Sequence, residues 1–151
     1  MNVAEVSQLA GELAASRHVA TLVARGAPSD ELFAAATAEV GRALAVDVAY
    51  LYRYDGDGSV TVLAAWSEAG DHRPPVGGRW IVGGRSLSAL VLQTGSPTRI
   101  DDYATASGPT AVAAREAGHR SGVATPIVVD GRLWGAMCVV SIGEQPLPGD
   151  M

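Results

Sequence analysis

There is no lysine in this chain of 151 residues; all eleven basic positions are arginine. That removes the lysine-bearing phosphate loop, the Schiff-base amine and the lysine general base. Cys138 is the lone cysteine, so neither a disulfide framework nor a thiolate metal cluster can form within the chain. Asn2 is the only asparagine and Phe33 the only phenylalanine. No run approaches the roughly 18 consecutive apolar residues of a membrane span. The N-terminal stretch carries Glu5 and Glu12 and lacks the basic opening of a secretory signal. A formal net charge of −5 leaves no basic face for phosphate backbones, so neither nucleic acid nor a membrane surface is an expected partner. The expected location is cytoplasmic. His18, His72 and His119 stand apart from Cys, Asp and Glu at ligand spacing, and no metal site is expected.

What is present is globular: 48% hydrophobic and 18% charged residues, in a length that suits one domain with its own core. The clearest local signal is residues 121–141, where two β-branched apolar runs flank Asp130-Gly131 and predict a tight hairpin. Gly135 interrupts the second run, which marks a close approach of other groups to the backbone. Residues 47–54 have period two, with Val48, Tyr50, Tyr52 and Tyr54 on one side and Ala49, Leu51 and Arg53 on the other. Asp55 to Gly58 is a turn, and residues 60–66 return as a strand. Residues 2–25 and 29–45 read as two amphipathic helices, the second with Ser29 as its N-cap after Pro28. Trp80 to Val82 suits a short edge strand, residues 86–93 a helix closed by Gly95 and Pro97, and residues 98–100 another strand. Residues 110–117 form a helix ended by Gly118. Hairpin-linked strands with grouped helices give an α+β fold around an antiparallel sheet.

Taken together in this order, several segments resemble the GAF domains of actinobacterial sensor histidine kinases and related signalling regulators. They are residues 19–24 with Pro28 and Leu32-Phe33, Asp47-Val48-Ala49, Tyr54, residues 74–80, residues 88–91 and Gly95. Residues 99–103, 113–116, Pro126-Ile127, residues 131–135 and Pro146-Leu147-Pro148 complete the set. The resemblance implies a GAF-like central antiparallel sheet of about six strands, helices on both faces, and a ligand pocket roofed by the middle loops and short helices. It divides the chain into an N-terminal helical extension at 1–17, a GAF domain at 18–147 and a truncated C-terminal tail at 148–151. Val3, Val6, Leu9 and Leu13 form an apolar stripe on the extension, which suggests a homodimer through that helix.

The family's known ligand chemistries can be checked against the residues present. The cyclic-nucleotide signature needs an Asn-Lys pair that this chain lacks. Bilin-attaching relatives use a Cys followed by His, whereas Cys138 precedes Val139 in an apolar run and reads as a small buried hydrophobe. The free methionine sulfoxide reductases cycle through more than one cysteine. Haem-binding relatives place an axial His where Glu116 falls here, and His119, three residues on, reads as a polar, loop-side histidine. No cofactor is therefore expected. Ligand contacts are expected from Trp66, Trp80, Arg99, Tyr103, His119 and Trp134, in a pocket between the sheet and residues 79–92 and 99–119, the usual mix of apolar wall and few polar groups. Asp101 and Asp102 point apart on an extended segment; Asp101 or Asp102 reads as the cap of the next turn, with the Tyr103 ring packed over the core. No nucleophile–base pair is visible, so the chain is not read as an enzyme. The first reading is a non-catalytic sensory module that binds a small molecule and relays through its terminal helices; the alternatives are a degenerate module that only dimerises and, behind it, a haem-binding redox or gas sensor.

Overall fold

The computed structural model describes residues 28–148. The expected helix at 2–25, with its apolar stripe and the dimer contact assigned to it, lies outside the described residues.

The first described helix, α1, is Ser29–Leu44. Its cap is Pro28 rather than Ser29: the Pro28 carbonyl accepts from the Glu31 and Leu32 amides at 3.1 and 3.2 Å, and no side chain caps the end. Extended backbone at Pro28 already turns its carbonyl into the first helical turn, so Ser29 is drawn inside. Asp30 and Glu31 follow where negative charge complements the helix dipole. Then come β1 (Val48–Tyr54), β2 (Ser59–Ser67), β3 (Arg79–Ile81), α2 (Leu87–Thr94), β4 (Thr98–Ile100), a 3-10 turn (Tyr103–Thr105), α3 (Pro109–Glu116), β5 (Ser121–Val129) and β6 (Arg132–Ser141). The strands form a single six-stranded sheet in the order β3-β2-β1-β6-β5-β4, every pair antiparallel. The first and last hairpins thus lie side by side, and the expected α+β architecture is the one formed.

The sheet has two covered faces. On one, Val40 and Leu44 of α1 pack against Ala49, Leu51, Ala64, Val123, Met137, Val139 and Leu147. On the other, α2, the 3-10 turn and α3 bring Leu87, Val91, Tyr103, Ala111 and Ala114 onto Tyr52, Val60, Ala124, Ala136 and Cys138. Each fully buried Val or Leu contributes about 1.5–3 kcal/mol to holding these layers together. Tyr50, Tyr52 and Tyr54 share the second face and Ala49 and Leu51 the first, as the period-two reading of this strand requires.

Two irregularities break that alternation elsewhere. Leu51 pairs with Ala64 while Tyr52 pairs with Val62, so Leu63 is an extra residue in β2. Ile127 pairs with Gly135 while Val128 pairs with Leu133, so Trp134 is an extra residue in β6. A bulge of this kind puts two residues opposite one and reverses the facing of the rest of the strand. Val60 and Val62 face α2 and α3, whereas beyond the bulge Ala64 and Trp66 stand on the α1 face.

At the last hairpin, Asp130 and Gly131 have φ of 53° and 76°, the two positive values that a tight primed turn demands. Gly135 lies between β1 and β5, and a Cβ there would sit 2.2 Å from the Tyr52 carbonyl oxygen. The first hairpin is tied differently. The Asp55 carboxylate accepts from Ser59 and Thr61 hydroxyls at 3.1 and 2.7 Å and from Arg53, while Arg79 of β3 reaches Asp55 at 3.5 Å and pairs with Asp57. Burial alone would raise the Asp55 pKa, but bonds from Thr61, Ser59 and Arg53 outweigh it and hold the group below its usual value. This polar knot fixes the edge strand that carries Trp80.

Candidate functional site

A cavity of about 100 Å³ lies between the sheet and the α2–α3 layer. Its floor is Tyr50 and Tyr52 of β1 with Val60 and Val62 of β2; Trp80, Leu87, Tyr103, Ala111, Ala114 and His119 wall it, and Arg73, Pro74 and Pro75 border it from the β2–β3 connection. Small alanines on α3 face the floor where larger side chains would fill the space.

The walls are held by hydrogen bonds rather than by packing alone. The Ser86 hydroxyl oxygen accepts from the Ala89 amide at 3.2 Å, capping α2, and its proton goes to the Gly83 carbonyl at 3.1 Å. Loss of such a cap costs about 1 kcal/mol. Ser88 and Thr110 hydroxyls meet at 3.0 Å and join α2 to the start of α3. The Tyr54 hydroxyl donates to the Ser88 carbonyl at 2.6 Å and accepts from Tyr52 at 3.4 Å, which ties the floor to the wall. Arg115 donates to the Tyr103 and Ala106 carbonyls at 2.9 and 2.7 Å, fixing the 3-10 turn beneath α3. Asp102 caps that turn through the Ala104 amide at 2.8 Å, and Tyr103 is buried, as the sequence suggests for both.

His119 is the most constrained polar group of the site. Only 4% of it is exposed, so it is not the loop-side residue the sequence suggests. The one-turn helix end at Ala117-Gly118 swings it under the sheet-facing layer, where its ring stacks on Tyr50 with centroids 6.0 Å apart and meets Tyr103 edge-on at 6.3 Å. Nε2 donates to the His72 carbonyl at 2.7 Å; a carbonyl can only accept, so in the neutral ring Nδ1 bears the lone pair. That Nδ1 is buried with no partner among the described residues. Burial lowers the His119 pKa; the bond to the His72 carbonyl opposes the shift and the charge of His72 adds to it. The ring is therefore neutral near pH 7. His72 returns the contact, its own Nδ1 bonding the Ala117 carbonyl at 2.7 Å. Gly118, with φ of 92°, leaves room for that ring: a Cβ would come within 2.7 Å of the His72 Nδ1. The β2–β3 connection is thus clasped to the α3–β5 corner from both sides.

The tyrosines and the thiol make the rest of the interior uncharged. Burial raises the pKa of Tyr50, Tyr52 and Tyr103 well above the usual phenol value, with Cys138 nearby adding to each shift. Burial likewise pushes the Cys138 thiol up to about 12, against hydrogen bonds from Tyr50 and Tyr52. Cys138 is a buried free thiol, fully enclosed in β6.

Of the six residues expected at a ligand, Trp80, Tyr103 and His119 meet at the cavity. The other three stand elsewhere, which corrects the sequence reading. Trp66 lies on the α1 face, its ring over Gly41 and 6.0 Å from the Arg42 guanidinium, because the bulge at Leu63 reverses the end of β2. Trp134 lies on the same face against Phe33, ring centroids 5.6 Å apart, because it is itself the bulged residue of β6. Arg99 alternates with Ile100 on β4; Ile100 takes the cavity side, and Arg99 binds Asp101 and the Leu147 and Pro148 carbonyls instead. It anchors the C-terminal segment. Tyr50, Tyr52 and Arg73 were not singled out by sequence, although the three tyrosines on one side of β1 were a usable signal. Among the described residues, no group of three or more His, Cys, Asp or Glu side chains is placed to hold a metal ion.

A tetrapyrrole does not fit this arrangement. The cavity is far smaller than such a ring system, the His119 Nε2 is committed to a carbonyl, and Cys138 is closed inside the sheet.

The family whose model matches the chain is the GAF domain, over residues 26–150. None of the curated proteins compared matches it. Among solved structures, the chain is similar to the phycocyanobilin-bound GAF domain of a cyanobacterial phytochrome, at 20% identity and a TM-score of 0.68, covering 99% of this chain and 85% of that one. It is also similar to the free methionine-R-sulfoxide reductase of Neisseria meningitidis solved with its substrate (18%, TM-score 0.64, 93% and 77% covered). A third is the NreA protein of Staphylococcus aureus, mutated in its nitrate binding site (17%, TM-score 0.61, 80% and 90% covered). At these identities the likeness concerns the fold.

Proposed function

The chain belongs to the GAF domain family, sensory and regulatory modules of signalling proteins, and we propose that it is a non-catalytic sensor whose cavity binds a small molecule. The observation that carries this reading is the cavity itself: about 100 Å³ of space walled by Tyr52, Trp80 and Leu87 and furnished with a few fixed polar groups. A module that only dimerised would gain stability by filling that space, since empty volume costs packing energy. That similar folds hold a bilin, a sulfoxide substrate or nitrate supports the same use of the fold. Haem is disfavoured by the commitment of His119 to the His72 carbonyl.

In this reading the module belongs to a signal-transduction protein of the sensor histidine kinase type, acts in the cytoplasm, forms a homodimer mainly through its N-terminal helix, and relays through its terminal helices. No helix among the described residues is long and apolar enough to cross a membrane. Ligand binding would bias a two-state population and pass to an output domain through those helices, with a coupling no larger than the ligand's differential affinity. The one thiol is protonated and enclosed, and the hydroxyls of Ser59 and Thr61 that meet the Asp55 carboxylate belong to the polar knot of the first hairpin, outside the cavity lining.

A thermal-shift screen of a fragment panel against the wild type and Ala114→Leu tests the reading. Ala114 borders the cavity, and the larger side chain occupies it. A true ligand at 100 times its dissociation constant adds about 2.7 kcal/mol, which raises Tm by about 5–10 °C in a domain of this size. Hits that persist unchanged in Ala114→Leu, or a panel without hits, would sink it.

A further inference from the structure

The wall of the cavity is uneven in charge. Of its lining residues, Arg73 alone bears a full charge near neutral pH, and no carboxylate lines the cavity with it. Arg73 is also unspent. Arg53, Arg79 and Arg99 are paired with Asp55, Asp57 or Asp101, whereas among the described residues no ion pair or hydrogen bond engages the Arg73 side chain, and Glu68 and Asp71 of the same connection leave it free.

Nor is Arg73 a random surface residue on a loose loop. Its predecessor His72 is fastened twice, through the His119 Nε2 on its carbonyl and through its own ring on the Ala117 carbonyl, each at 2.7 Å. Its successor Pro74 confines residue 73 to extended backbone, and Pro74 and Pro75 each have a fixed φ. Both prolines border the cavity. The chain therefore holds Arg73 at the border of the cavity from a strap fixed on both sides.

Behind that charge the space is apolar and neutral. Tyr52, Trp80 and Leu87 supply flat and aliphatic surface, and the phenols of Tyr50 and Tyr103 stay protonated. A dry cavity of about 150 Å³ takes benzene. This one, at about 100 Å³, is smaller but open to solvent rather than closed, so a body of at most one ring enters it with its polar end left outward. An anionic head on the ligand would meet the planar fork of Arg73, which matches a carboxylate with two parallel N–H···O bonds.

We propose that the cavity takes a small monocarboxylate, its single ring or branched apolar body between Tyr52, Trp80 and Leu87 and its carboxylate on Arg73. The assignment rests on the ligand-binding reading above and adds the class of ligand and the residue that selects it. His72 is a positioning residue in it.

Isothermal titration of the purified chain with benzoate, benzamide and acetate tests this. Benzoate should bind at least tenfold tighter than its neutral isostere benzamide, and acetate, which lacks the ring, should not saturate. Arg73→Gln should weaken benzoate by at least tenfold, to the level of benzamide; the residue is exposed, so the fold survives. Benzamide binding as tightly as benzoate, acetate matching benzoate, or a benzoate preference that survives Arg73→Gln would each overturn the assignment. If none of the three binds, the assignment also falls. The fragment panel separates the two failures: panel hits sensitive to Ala114→Leu keep the sensor reading alive, and their absence ends both.

Discussion

Replacing Gly135 with alanine adds one methyl group to the place in the sheet least able to accept it. The new Cβ would stand 2.2 Å from the Tyr52 carbonyl oxygen and 3.2 Å from the Arg53 Cα. Both obstacles are backbone, so no side-chain rotation relieves them. Ordinary contact begins at 3.4 Å, so β1 must retreat from β6 by about 1 Å at this point. β6 cannot move the other way without disturbing β5, to which Gly135 is paired through Ile127. Opening the ladder weakens one or two interstrand hydrogen bonds, each worth about 1 kcal/mol net, and overpacking of this kind costs about 1–3 kcal/mol on its own. The combined loss is about 2–5 kcal/mol, which lowers Tm by about 4–20 °C in a domain of this size. Gly143→Ala is the control, because its Cβ meets nothing nearer than the Ser141 hydroxyl at 3.7 Å. Calorimetric melting of both variants decides the matter. A Gly135→Ala protein melting within 2 °C of the wild type would refute the close-approach argument.

His119 has a depressed pKa in the folded state and its ordinary value near 6.5 when unfolded, so between the two the unfolded chain binds the extra proton. Stability is therefore full above about pH 6.5 and declines as pH falls below it; urea titrations at several pH values should show a flatter profile for His119→Phe. Asp55 has a lowered pKa too, but its loss begins only lower, in the carboxylate range. Cys138, at about 12 and enclosed, should resist a thiol reagent in the native protein at pH 8 and react only after denaturant is added. Rapid labelling without denaturant would contradict its placement. Trp80 alone of the three tryptophans borders the cavity, so ligand-induced fluorescence change should vanish in Trp80→Phe and persist in Trp66→Phe.

The fold was legible because its signals are local and redundant. Asp130-Gly131 between β-branched runs, alternating tyrosines at 50, 52 and 54, and Gly95 after an apolar helix each act over a few residues. Short-range chemistry of that sort survives tertiary context. The misplaced cap shows the limit: whether Pro28 or Ser29 holds the end depends on a carbonyl direction that composition does not encode.

The site was half legible, and the bulges explain most of the missing half. A strand read at period two assigns faces by parity, so one inserted residue reverses everything beyond it. Leu63 gives no sign of being extra; it is an apolar residue in an apolar run, and Trp66 is carried to the wrong face without warning. Trp134 did come with a sign, since a glycine within a strand marks either close approach or a bulge, and Gly135 marks both. Arg73 was missed for another reason. Nothing in a loop of charged residues, glycine and proline distinguishes the arginine at the cavity from its neighbours until His72 and His119 are seen to clasp each other across 47 positions of sequence. The residues that border the cavity therefore depend on two one-residue insertions and one long-range pair of hydrogen bonds. A relative that kept the hairpins but lost either bulge would keep this fold while turning different side chains toward its cavity.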